Sequence, residues 1–366
     1  MTRCESLETV RQWGLKPPKT LTIAITAACN LACQHCWVEA GLLPVSAHVP
    51  TRSLMRIIKE FAALGGEGLR ITGGEPLCHP HVLNILQSSR ALGFKAIILQ
   101  TNAMLLKDEH LTALHELEFP GLSIQVSLDG ATADTHDLVR GKGAFDGALS
   151  GLVKLVQYGL AGRITLFLTE MRHNLEDIPA LLEFAERMGI SSFNSGALVQ
   201  CGRAVGDTAA VPPDSAQYLK LLERYDTDPR FRELYRKIGR IAALEWRTGG
   251  TVRHEHCTFV ENPYLTPSGV LYPCLLCHTG DFSVSGVFDK GFAAALAEGA
   301  PAWSSLLQIS RSRTDTINEC HDCPLKPCCG GGCMGRAWGS RGDLVAADDR
   351  CEVRQAIYRY GCNCRY

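Results

Sequence analysis

The 366-residue chain carries almost no net charge: Lys plus Arg number 37 against 38 Asp plus Glu, so no global field draws it to nucleic acid or to an acidic membrane. It has no apolar run approaching ~18 residues, and its start, Met1-Thr-Arg-Cys-Glu-Ser, has no hydrophobic core of a secretory signal. These absences exclude membrane-spanning and nucleic-acid-coating classes, and the expected location is the cytoplasm. Repeats and low-complexity tracts are missing as well, which leaves one large domain with a smaller one appended. Cysteine, by contrast, is abundant. The count of 17 is odd, which argues against a simple all-disulfide framework, and metal or cluster ligation explains the thiols better. Only Cys4, Cys29, Cys33, Cys36, Cys78 and Cys201 precede residue 250, while eleven follow it, so the chain has two chemical halves.

From Leu21 to Val199 apolar strand-like runs alternate with amphipathic helix patterns, the sign of a parallel β/α architecture. Strands are expected at Leu21 to Thr26, Gly68 to Thr72, Lys95 to Gln100, Leu122 to Leu128, Arg163 to Thr169 and Ser192 to Leu198. Helices are expected at Thr51 to Leu64, Val82 to Leu92, Asp146 to Tyr158 and Glu176 to Met188, several stopped by Gly65, Gly93, Gly159 and Gly189. Six units are too few for a closed eight-unit barrel. The expected fold class is therefore α/β, a partial (β/α)6 TIM-like barrel with its chemistry at the carboxyl ends of the strands. Residues 1–20 form an amino-terminal extension, 21–211 the barrel, 212–249 a helical connector broken near Asp228-Pro229, and 250–366 a Cys-, Gly- and Pro-rich region. That last region shows few long periodic segments, so metal ligation rather than a large apolar core is expected to hold it.

Cys29, Cys33 and Cys36 follow the first strand directly, in Ala28-Cys-Asn-Leu-Ala-Cys-Gln-His-Cys-Trp37. A closed zinc site needs a fourth protein ligand and a fully ligated cluster usually takes four thiolates, so three thiols suggest a cluster with one open iron. A partial zinc site or a disulfide is the alternative. The C-x3-C-x2-C spacing resembles the signature of radical S-adenosylmethionine (SAM) enzymes, in which the open iron of a [4Fe-4S] cluster chelates the amino and carboxylate groups of SAM. The resemblance implies reductive cleavage of SAM to a 5'-deoxyadenosyl radical that abstracts hydrogen from an unactivated carbon.

Further stretches carry the same likeness. Thr72-Gly-Gly-Glu-Pro-Leu77 resembles the family's methionyl-binding turn, which assigns Gly73, Gly74, Glu75 and Pro76 to SAM. The strand ends Gln100-Thr-Asn102 and Ser127-Leu-Asp-Gly130, with Arg140 beyond, resemble the enzymes that modify peptides, and they imply SAM contacts at Asn102, Ser127, Asp129 and Arg140. His35 occupies a position often aromatic in the family, where it would pack on adenine. Polar caps on strands and turns are the plainer reading of these residues.

In the second half, Cys257, Gly269 and Cys274 precede Cys320-x2-Cys323-x5-Cys329-x3-Cys333 and then Cys351. This order closely resembles the SPASM extension, the carboxy-terminal domain that carries two auxiliary iron-sulfur clusters in many radical SAM maturases. The resemblance implies that Cys320, Cys323, Cys329 and Cys351 hold an outer auxiliary cluster, with Cys257, Cys274 and Cys333 on an inner one. A cysteine often found just before the first is missing from Gly250 to His256, which leaves Cys277, His254 or His256 as a fourth ligand, or an open iron. Cys277 is preferred. A zinc-ribbon module is the structural alternative. Cys201, Cys362 and Cys364 are candidate hydrogen donors to a substrate radical, although buried thiols are commonly inert.

The likeness further implies a peptide or protein substrate that is crosslinked, epimerised or oxidised. A tetrapyrrole or other small-molecule substrate is the second enzyme reading, and a non-catalytic iron-sulfur or zinc scaffold the third. Sulfatase activation is disfavoured because the residue after the second SPASM cysteine is Leu275 where those enzymes have aspartate. The twenty residues before the first strand are too few for a leader-binding domain. Recognition of a peptide then calls for a separate leader-binding protein or for contacts from the barrel and SPASM surfaces, and a flavodoxin- or ferredoxin-type reductant is an expected partner.

Overall fold

The structure is a computed structural model that describes residues 3–44, 47–206, 209–248 and 257–361. Among the described residues nine strands form one sheet: β1 (Thr20–Ala24), β2 (Gly68–Thr72), β3 (Ala96–Thr101), β4 (Leu122–Ser127), β5 (Ile164–Glu170), β6 (Ser192–Ala197), β7 (Gly239–Arg240), β8 (Tyr264–Leu265) and β9 (Leu271–Tyr272). Their spatial order is β7-β6-β5-β4-β3-β2-β1-β8-β9. All neighbours are parallel except the β8–β9 pair. The first six therefore lie in sequence order, as successive β/α units must, and they make the α/β partial barrel that the alternating pattern predicts.

Alternation along the strands assigns the two faces. In β3, β4 and β5 every second residue is buried against helices, including Ile97, Leu99, Ile124, Val126, Leu166 and Leu168. The intervening Gln100, Gln125, Ser127, Phe167 and Thr169 face a cleft on the other side. The sheet thus offers a polar, partly aromatic concave wall.

The helices are α1 (Arg3–Gln12), α2 (Thr51–Ala63), α3 (Val82–Arg90), α4 (Asp108–Glu116), α5 (Ala133–Arg140), α6 (Ala144–Gln157), α7 (Ile178–Arg187) and α8 (Ser215–Thr227). They continue with α9 (Pro229–Ile238), α10 (Ala242–Thr248), α11 (Val287–Lys290), α12 (Phe292–Ser312), α13 (Lys326–Cys329), α14 (Met334–Arg341) and α15 (Cys351–Gly361). In α2 the spacing Leu54, Ile57, Ile58, Phe61 puts four fully buried side chains on one face. The break between α8 and α9 falls at Asp228, whose carboxylate accepts from the Arg230 and Phe231 amides while Pro229 takes the first helical position.

The expectation of few long periodic segments after residue 250 is corrected by α12, which runs 21 residues. Its buried face, from Phe292 through Leu296 and Trp303 to Leu307, joins the same core as the barrel. Small Ala, Gly and Ser positions and the internal Pro301 conceal that face from a reading that looks for large apolar residues. Phe61 of α2 meets Phe292 at 5.6 Å between ring centroids, and Glu60 accepts from the Phe292 amide at 2.6 Å, capping α12 from the barrel side. No helix among the described residues is long and apolar enough to cross a membrane.

Candidate active site

The chain leaves β1 through Thr26, whose hydroxyl accepts from the Ala28 amide, and enters the cysteine loop. That loop is held from several directions. The Cys29 amide donates to the Gly41 carbonyl at 2.7 Å, and the Gln34 amide to the Val139 carbonyl of α5 at 2.8 Å. Arg203, from the loop after β6, donates through Nε to the Cys33 carbonyl at 2.9 Å and through a terminal nitrogen to the Ala40 carbonyl at 2.7 Å. Arg203 has no local signature in the sequence, since its partners lie more than 160 positions away. Gly202 just before it has φ +57° and lies so close that a Cβ there would stand 2.7 Å from the Cys36 carbonyl oxygen.

All three thiols line one cleft of about 840 Å³, part of it open to solvent. Cys29 and Cys33 are buried, and burial pushes the Cys29 thiol up to about 12 and raises Cys33 as well. Metal binding must displace those protons, which couples iron uptake to proton release.

The Gly73-Gly74 turn closes the cleft floor for a reason the motif alone does not disclose. A Cβ on Gly73 would stand 2.4 Å from the Thr26 carbonyl oxygen, and one on Gly74 2.4 Å from that of Ala28. The Gly74 and Glu75 amides donate to those same two carbonyls at 2.8 and 2.9 Å. Glycine here lets the turn lie flush against the chain that leads into the cysteines. Glu75 is 1% exposed, and its carboxylate accepts from the Thr101 hydroxyl (2.7 Å), the Asn102 amide (2.7 Å) and the Leu77 amide (3.1 Å). Burial raises its pKa, and these three donors oppose that rise. Pro76 is buried beneath the turn and does not line the cleft.

Asn102, Ser127, Arg140 and His35 stand on the cleft wall. Asp129 does not, which corrects its expected contact with the ligand. It is fully buried behind the wall, receiving Arg140 Nε at 2.6 Å and the Thr169 amide at 2.7 Å, with His35 Nε2 at 3.3 Å. Burial alone would raise its pKa, but Arg140, then His35 and His136, hold it down at about 2. Asp129 therefore fixes the orientation of Arg140. His136 accepts the Asp129 amide on Nδ1 at 3.0 Å, and burial, with Arg140 nearby, lowers its pKa to about 4. That bond requires the neutral ring.

The second half holds a separate, more enclosed cavity of about 320 Å³, lined by Cys320, Cys323, Cys329 and Cys351 together with Arg354 and Gln355. Cys257, Cys274, Cys277 and Cys333 form another group, near enough that each of the other three raises the pKa of Cys277. Burial leads in lifting Cys274 and Cys277, both to about 12. Cys277 thus lies with the three cysteines of the inner set, while His254 and His256 lie outside the described residues. Cys201 is not on the cleft wall; its Cβ faces Gly339 of α14, 3.9 Å from where a Cβ on that glycine would stand. Cys362 and Cys364 lie outside the described residues.

Rings join the first centre to the second half. Trp37, next to Cys36, meets His278, next to Cys277, at 4.7 Å between centroids, and Tyr264 lies within 5.2 Å of both. Tyr272 stacks on the other side of His278 at 4.6 Å. This four-ring packing ties the Cys36 end of the first loop to the loop that carries Cys277.

Three thiols opening on a ligand-sized cleft fit a cluster with one iron free, and the polar strand ends beside them fit a zwitterionic ligand. Among the described residues, no three His, Cys, Asp or Glu side chains converge on a single-ion point. A cubane spreads its thiolates over different irons and asks for no such convergence.

Cysteine placement at the mouth of a partial barrel defines a class of enzyme, and the sequence profile of the radical SAM superfamily matches residues 23–185. The chain thus carries a radical SAM domain and is an enzyme, with S-adenosylmethionine and an iron-sulfur cluster as cofactors. Among particular proteins, it is 28% identical over 363 residues to the AdoMet-dependent heme synthase of Methanosarcina barkeri, covering 94% of this chain and 97% of that one. It is 29% identical over 351 residues to the mycofactocin maturase MftC of Mycobacterium tuberculosis, covering 92% and 84%. Streptococcus suis SuiB bound to S-adenosylmethionine shares the fold with a TM-score of 0.69 at 17% identity, over 95% of this chain and 80% of that one. SuiB bound to precursor peptide SuiA gives 0.71 over 95% and 79%.

Proposed function

We propose that this radical SAM enzyme modifies a ribosomally made peptide or protein. The observation that carries this reading is a set of exposed apolar side chains close in sequence to residues that hold the cysteine loop: Leu42, Leu43, Leu138 and Val205 are 89%, 49%, 47% and 60% exposed. Exposed apolar residues of this kind suit contact with a peptide chain, one side chain of which reaches the cleft. The similarity to the mycofactocin maturase and the shared fold with peptide-bound SuiB support it.

On this reading residues 21–211 are the catalytic barrel, 212–249 the connector, and 250–366 the SPASM region. Cys29, Cys33 and Cys36 hold the cluster, and Gly73, Gly74, Asn102, Ser127 and Arg140 hold SAM, with the His35 ring beside it. Bound together, cluster and SAM supply a radical able to take hydrogen from an unactivated carbon. The protein's own part is positioning: Arg203 and Val139 fix the cysteine loop, Asp129 fixes Arg140, and Phe167, Gln100 and Gln125 orient what enters from the mouth. The outer set of Cys320, Cys323, Cys329 and Cys351 and the inner set of Cys257, Cys274, Cys277 and Cys333 each hold an auxiliary cluster. A flavodoxin- or ferredoxin-type protein supplies electrons, and a separate leader-binding protein delivers the peptide.

A second reading, a tetrapyrrole substrate, is favoured by the similarity to the heme synthase over nearly its whole length. Anaerobically reconstituted enzyme, offered dithionite, SAM and either peptides encoded beside its gene or iron coproporphyrin, separates the two by mass spectrometry. A SAM-dependent mass change in a peptide is expected. Turnover of the porphyrin alone would replace the first reading by the second.

A further inference from the structure

We propose that Arg354, paired with the buried Asp348, makes the outer cysteine set the stronger electron acceptor of the two in the second half; this rests on both sets holding clusters, as proposed above. Arg354 lies one helical turn after Cys351 on α15. Its Nε donates to Cys329 Sγ of the outer set at 3.1 Å, and a terminal nitrogen donates to Asp348 Oδ2 at 3.2 Å. The Asp348 side chain is wholly buried, and the same oxygen accepts the Cys333 amide at 2.8 Å. Cys333 belongs to the inner set. One continuous line of hydrogen bonds therefore runs from Cys333 through Asp348 and Arg354 to Cys329, with its anionic end at the inner set and its cationic end at the outer.

The chain is shaped to admit this line. Gly332 has φ +78°, and a Cβ there would stand 2.3 Å from an Arg354 nitrogen and 2.4 Å from Asp348 Oδ2. The other buried arginines of this region spend their hydrogen bonds elsewhere: Arg313, which bears on Cys257 and Cys333 as well as on Cys320, donates to the Gly332 and Ala346 carbonyls, Arg336 to Asp349 and Arg350 to the Pro213 carbonyl. Among the described residues the hydrogen-bond donors bearing on the inner sulfurs are all neutral: the Leu276 amide on Cys274 Sγ at 3.4 Å, the Cys277 and Met334 amides, and the Ser310 and Thr279 hydroxyls.

Adding an electron to a cluster increases the negative charge on its sulfurs. A charge-assisted donor on one of them favours the reduced form, and at Cys351 of the outer set, where both charges of the pair bear, Arg354 outweighs Asp348. The weakly polarisable surroundings preserve the difference. The outer cluster is thus the one that accepts an electron first.

A redox titration of anaerobically reconstituted full-length protein, followed by electron paramagnetic resonance, tests this, with dithionite as electron donor, itself oxidised to sulfite. Cys323→Ala identifies the outer signal by its loss. In the wild type the outer couple should reduce at the higher potential. Arg354→Gln should make its reduction at least tenfold less favourable, about 59 mV for a one-electron couple, while the inner couple moves less or in the opposite direction. Arg354→Lys, which keeps the charge without the planar contact, should move it part of the way, and it carries the same comparison if Arg354→Gln loses iron. Full iron content with an unmoved outer couple, or equal movement of both couples, overturns the role of the pair. Wild-type protein that takes up iron only at the first centre overturns the auxiliary-cluster reading, and this inference with it.

Discussion

Glu75 belongs to a motif read as ligand-binding, yet its carboxylate is spent on three donors from its own turn and from the end of β3. Glu75→Gln cannot accept from all three at once, which should cost about 1–3 kcal/mol. SAM affinity measured by equilibrium dialysis should fall about tenfold at unchanged iron content; unchanged affinity would show that the turn holds its shape without the charge. Asp129 and His136 make the site acid-sensitive. The depressed pKa of His136 opposes its protonation, so stability is full above 6.5 and declines as pH falls toward about 4, a loss of roughly 3 kcal/mol. Asp129 adds a second loss as pH falls from 3.8 toward about 2. Thermal melts between pH 7.5 and 4.5 should show the first loss, and His136→Gln, which can still accept the Asp129 amide, should flatten it. The cysteines were legible because ligands to one cluster must be close in sequence when a single loop supplies them. Arg203 was not, because it reaches Cys33 across 170 positions. Arg354 lies only 25 positions from Cys329, yet nothing in the cysteine spacing marks it as a donor to that sulfur.

At the scale of elements, each barrel strand was legible to within about two residues, because buried alternation and glycine stops are local signals. Gly65, Gly93, Gly159 and Gly189 all adopt positive φ, as helix-ending glycines do. Helix α5 carries Val139 and Arg140 to the cysteine loop, yet its Ala-Asp-Thr-His-Asp-Leu-Val-Arg run is too short and polar to show a helical apolar period. Helix α14 offers a test of how the second half is seated. A Cβ on Gly335 would stand 2.2 Å from the Leu276 carbonyl oxygen, a backbone atom that cannot swing aside. Gly335→Ala should therefore push α14 off the loop bearing Cys274 and Cys277, at a cost of about 1–3 kcal/mol. Iron content should fall by about four from about twelve per chain if three cubanes are present, with SAM cleavage retained. Undiminished iron would mean that the helix and loop separate without disturbing the inner set.

The whole molecule is less divisible than its two chemical halves suggest. One apolar core extends from Val10 on α1 to Ile357 on α15. A fragment ending at residue 248 would bare β1, which pairs with β8 through Thr22 with Tyr264 and Ile23 with Leu265, and would uncover Phe61 where Phe292 now lies. Such a fragment should aggregate, as unpaired parallel edges do; a monomeric fragment with a cooperative melt in size-exclusion and calorimetric runs would refute this. The pairing also imposes a timetable on biosynthesis. The edge of β1 emerges from the ribosome some 240 residues before its partner. At roughly 5–20 residues per second that interval lasts at least about ten seconds, during which a nascent-chain chaperone has the edge to itself.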